Sequence, residues 1–82
     1  MNKEIFETKK VVLMNFAKEI LRHPDVSAQD KISLNKLIEL LNVYFYENRL
    51  KQKGLLTHTI IDCLELDYTI GKEFIKFDND IM

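Results

Sequence analysis

Apolar side chains recur at three- and four-residue steps from the start of the chain. Phe6, Leu13, Phe16, Ala17 and Ile20 share one stripe, with Ile5, Val12 and Leu21 at its margins, and this spacing predicts an amphipathic first helix. Asn2 offers a capping side chain. The helix is expected to stop at "RHPD", because Pro24 disfavours helical geometry at His23 and has no amide hydrogen to donate. "VSAQDKISL" restarts the pattern. Ser27 is a good N-cap, and Asp30, three residues on, resembles the acidic half of a capping box. The second helix is expected to run through "LNKLIELLNVYFYENRL", with Leu34, Leu37, Ile38, Leu41, Tyr44 and Phe45 as its main stripe. Arg49, Lys51 and Lys53 followed by Gly54 make its stop signal.

That helix carries a second apolar line, Ile32, Val43, Tyr46 and Leu50, nearly opposite the first. One buried face cannot serve both. Either the helix is central to a small bundle and contacted on two sides, or the four residues form a partner-binding surface.

The C-terminal third has two readings. As a helix beginning near Thr57 or Thr59, it aligns Ile60, Ile61, Leu64, Tyr68, Gly71 and Ile75, with Gly71 allowing close packing. Asp67 then falls at the edge of the apolar face, and a break near Thr69 would divide the helix in two. As strands, "LELDYTI" alternates and "GK" turns into "EFIKF", which sets Asp67 opposite Lys76 as a cross-strand charge partner. The fold class is therefore mainly α, a small three- or four-helix bundle, with two helices and a C-terminal β-hairpin over residues 64–77 as the alternative. "DNDIM" reads as a frayed end.

Composition narrows the function classes. The 82 residues form one domain, 1–82, small enough that a partner or a second copy would help stabilise it. Cys63 alone makes no internal disulfide, and His23 and His58 are too far apart for the usual zinc spacings, so neither metal nor cofactor is expected. There is no apolar run of membrane-spanning length, and the setting expected is the cytoplasm. Residues 1–56 hold ten Lys/Arg against seven acids, and residues 57–82 hold two against six. This polarity is too weak for nucleic acid, but it can orient a protein partner or a second copy of the chain.

Individual polar residues add little chemistry. His58, Asp62 and Glu65 share a helical face, which reads as solvated rather than as a metal site. Cys63 reads as a small buried residue, since no base lies on its face. His23 reads as a helix-end residue, and "RLKQKG" as a helix stop rather than a phosphate contact. No glycine-rich phosphate loop or hydrolase motif is present.

Glu65-Leu66-Asp67, following the Gly54-Leu55 turn and preceding Ile70, resembles the signature of the small sporulation-regulating aspartyl-phosphate phosphatases, over about half the chain. Cys63 and Leu64 stand where that family has Ser and Gln, and Asn42 stands where it usually has arginine. The resemblance implies a helical hairpin that docks on a phosphorylated response regulator, with Asp67 directing water onto the aspartyl phosphate. The leading expectation remains a regulatory or inhibitory protein that binds another protein through apolar helix faces, with enzyme activity left open only as the aspartyl-phosphate phosphatase of the alternative. A bacteriocin-immunity or phage-encoded inhibitor is a third reading.

Overall fold

The computed structural model describes residues 2–62 and 66–80. The chain folds as α1 (Lys3–Leu21), α2 (Ala28–Asn42), a 3-10 turn (Tyr46–Asn48), the single-turn α3 (Arg49–Gln52), α4 (Leu55–Asp62) and α5 (Tyr68–Asp80). None of the described residues lies in a strand, so the fold is mainly α. Of the hairpin expected over residues 64–77, residues 68–77 lie in α5, and residues 64 and 65 lie outside the described residues. A helix gathers Gly71, Phe74, Phe77 and Asp78 onto one buried side, whereas an isolated two-stranded hairpin would have had no third strand to support it.

Local caps place the first two helices where the sequence predicts them. The Asn2 side chain accepts the Ile5 amide at 2.8 Å, and Ser27 Oγ accepts the Asp30 amide at 3.1 Å. At its other end α1 stops at Leu21, just before the Pro24 turn.

The second helix is shorter than its pattern suggests. It ends at Asn42 because the Val43 and Tyr44 amides tighten onto Leu40 and Leu41, after which Phe45 becomes extended. The Asn48 side chain then fixes the connection. Its Oδ1 accepts the Phe45 amide at 2.9 Å, and its Nδ2 donates to the Val43 carbonyl at 3.1 Å. Val43-Tyr44-Phe45-Tyr46 is also a β-branched and aromatic run of weak helix propensity. The supposed line of Ile32, Val43, Tyr46 and Leu50 is consequently not one helix face. Ile32 stands on α2, and the other three belong to the connection and α3.

The core is built from Phe6, Leu13 and Ala17 of α1, Leu34, Leu37 and Leu41 of α2, Tyr44, Leu56 of α4, and Phe74 and Phe77 of α5. Phe6, Tyr44 and Phe77 form a three-ring cluster with centroids 5.5 to 6.0 Å apart. Phe45, expected in the core, is exposed, as are Ile61 and Tyr68. The C-terminal stripe is therefore set by Phe74 and Phe77.

Gly54 takes φ +88°, as its stop signal implies, although it follows α3 rather than a long second helix. Gly71 is buried where α5 meets α4, and a Cβ there would stand 3.3 Å from Ile60 Cγ2. The close packing expected of it is present. The last residues are not frayed through Asp80: α5 continues to that residue and Asp78 is fully buried.

Candidate functional site

Asp67 does not sit on a helix edge among apolar residues. It caps α5: its Oδ1 accepts the Thr69 amide at 2.8 Å and the Thr69 hydroxyl, while its carbonyl accepts the Ile70 and Gly71 amides. These Thr69 hydrogen bonds hold the exposed carboxyl below the usual carboxylate range, so it is ionised. The Asp67 amide points to Asp30 Oδ1 at 3.4 Å, which links the starts of α5 and α2. Cys63, Leu64 and Glu65, on which the phosphatase-like signature and the metal reading partly rest, lie outside the described residues.

His58 Nδ1 lies 3.6 Å from Asp62 Oδ2 on the exposed surface of α4. Among the described residues, no three His, Cys, Asp or Glu side chains come together as a metal site. No described helix is long and apolar enough to cross a membrane.

The connection after α2 presents more apolar surface. Val43, Phe45 and Leu50 are 50%, 47% and 65% exposed. Tyr46, from the same predicted set, is half-buried instead, edge-on to Phe6 at 5.8 Å. Cations brace the segment: Lys10 Nζ stands 4.6 Å over the Phe45 ring, and the Arg49 guanidinium stacks 3.8 Å over Tyr46 while donating to the Tyr46 carbonyl. Lys3 binds Glu47 at 2.6 Å, an exposed ion pair that raises the lysine and lowers the glutamate from their ordinary pKa values. The 3-10 turn is thereby tied to the first turn of α1.

A second surface is a groove of about 300 Å³ between α1 and α5. Leu13, Phe16 and Phe77 line it, and Val12, 63% exposed, stands on its lip. Its charged lining is mixed, with Lys9 on α1 and Glu73, Lys76 and Asp80 on α5.

The Asp78 carboxylate is the polar node that sequence reasoning missed. Its Oδ1 accepts the Tyr44 hydroxyl at 2.7 Å and the Gly54 amide at 3.0 Å. Its Oδ2 accepts the Thr57 amide at 3.1 Å and the Thr57 hydroxyl at 2.7 Å. One side chain thus caps α4 and tethers the α2 connection to α5. The signal was an acid four residues after Phe74 and seven after Gly71, on the apolar face of its helix. Burial, and then the bond to Asp78, pushes the Tyr44 phenol well above its ordinary pKa.

No family model matches the chain, and neither curated proteins nor solved structures provide a match.

Proposed function

We propose that this chain is a small cytoplasmic regulatory or inhibitory protein that acts by binding another protein through residues 43–50. The supporting observation is the exposure of Val43, Phe45 and Leu50 within eight residues of a connection held in place by Asn48. A braced segment loses little conformational freedom on docking, which favours its use as a binding surface. Lys10 and Arg49 beside it suit an apolar partner surface with an acidic rim. Ile32, exposed on α2, is a separate apolar position. A photoreactive residue placed at position 50 should crosslink one discrete partner in host cells. The paired change Val43→Asp and Leu50→Asp should reduce capture of that partner about tenfold at unchanged helicity. Equal capture by that variant would remove the proposal.

A second reading rests on Asp67, whose exposed, ionised carboxylate is fixed in direction by Thr69. Such a group can orient a water when a partner supplies the phosphate and its magnesium. On this reading the chain is an auxiliary phosphatase for a phosphorylated response regulator. Adding it to a panel of phosphorylated regulators from its host should speed phosphate loss from one of them, and Asp67→Ala should abolish the effect. No acceleration across the panel rejects the reading.

A further inference from the structure

The groove between α1 and α5 has no part in the binding role assigned to residues 43–50. Lys10, which covers Phe45, lies roughly 160° around α1 from Val12, at about 100° per residue. The two surfaces therefore occupy different flanks of the same helix. On the groove side Val12, 63% exposed, shares the lining with half-buried Phe16 and buried Leu13 and Phe77, so an exposed aliphatic knob adjoins an apolar hollow. A surface with a knob next to a hole can match itself under a two-fold axis, since each copy then offers what the other lacks.

We propose that the occupant of this groove is a second copy of the chain, in a two-fold dimer with the α1 helices antiparallel and Val12 of each copy seated in the other's groove. The charges select this occupant. The lining carries two cations, Lys9 and Lys76, and two acids, Glu73 and Asp80. A strongly acidic or basic partner would meet like charge along half of that rim. A second copy can instead, twice over, set Lys9 against the partner's α5 strip of Glu73, Lys76 and Asp80, which carries one net negative charge. The available area sets the strength. With 19 and 13 residues, α1 and α5 are about 28 and about 20 Å long, and strips about 9 Å wide along them offer at most about 430 Å² per copy. The total of at most about 900 Å² lies at the small, transient end of specific interfaces, so the dimer is weak.

Sedimentation equilibrium of the full chain, from about 10 µM to about 1 mM, tests this directly. The expected result is a mass that rises from monomer towards dimer across the range. Val12→Asp should hold the mass at monomer, with circular dichroism confirming its helices. The Val43→Asp and Leu50→Asp pair should leave dimerisation unchanged, which separates this surface from the one proposed above. Lys9→Glu alone, and Glu73→Lys with Asp80→Lys, should each be monomeric, because each places like charges across its own two-fold. Mixed in equal amounts, those two variants should recover a heterodimer with both contacts restored. A wild-type mass that stays monomeric to 1 mM overturns the proposal whatever the variants do. So does undiminished dimerisation of Val12→Asp, or failure of the mixed pair to associate.

Discussion

A carboxylate on the same helix face as Phe74 and Phe77 can be buried only if its oxygens are occupied, and each Asp78 oxygen accepts two donors. Three of those donors belong to the turn that starts α4, and the fourth is the Tyr44 hydroxyl at the start of the connection that follows α2. Asp78→Ala should therefore cost about 3 kcal/mol in chemical denaturation, because it strands several polar groups at once. Tyr44→Phe deletes one donor and keeps the ring, so a loss of about 1 kcal/mol is expected. If both changes cost the same small amount, water replaces Asp78 freely and the node contributes little. Asp67 works at a smaller range, within its own helix turn. Removing the Thr69 hydroxyl in Thr69→Ala should raise the Asp67 pKa towards its ordinary value, as followed by carboxyl chemical shifts through an acid titration.

The helices differ in how much of their definition is local. Asn2, Ser27 and Pro24 act within a few residues of themselves, and the starts of α1 and α2 and the end of α1 follow from them. The end of α2 depends on the Asn48 side chain and on burying Tyr44 against Phe6 and Phe77, contacts that periodicity does not contain. The basic residues before Gly54 were a true stop signal, but for the one-turn α3. Asp67 was legible as an unusual acid, and its capping pattern with Thr69 was the missed clue. By sequence Asp78 belongs to "DNDIM", which reads as a frayed end because a lone acid in such a segment is ordinarily solvated. Of the predicted apolar line, Val43 and Leu50 do remain exposed; what was illegible was that they leave the helix before reaching that surface. The eight-residue α4 is too short to persist alone, so its stability rests on the Asp78 cap and on packing against α5. Amide exchange in Asp78→Ala should accordingly lose more protection over Leu55–Asp62 than over Lys3–Leu21. A uniform loss would mean that α4 opens only with the whole chain.

At the scale of the whole molecule, Tyr44 lies where the α2 connection, α1 and α5 meet, through Phe6, Phe77 and Asp78. The folded chain holds its phenolic proton to a higher pH than the unfolded chain does. Above pH 10, the ordinary tyrosine value, the native state thus binds more protons, and stability falls as pH rises. One such proton contributes a slope of up to roughly 1.4 kcal/mol per pH unit, fully absent below that range. Lys3, raised by its bond to Glu47, acts in the same direction and the same region, so the alkaline limb has two sources. Salt separates them. The Lys3–Glu47 pair is exposed and is screened at high ionic strength, whereas the Tyr44 contribution is buried and persists. Denaturation midpoints measured between about pH 8 and 11.5, in low and high salt, should fall more steeply for the wild type than for Tyr44→Phe in both. The Lys3 part should flatten only in salt. Identical slopes for the two proteins would mean that Tyr44 releases its proton inside the folded chain at the ordinary pH, and that its bond to Asp78 does not hold the three elements together.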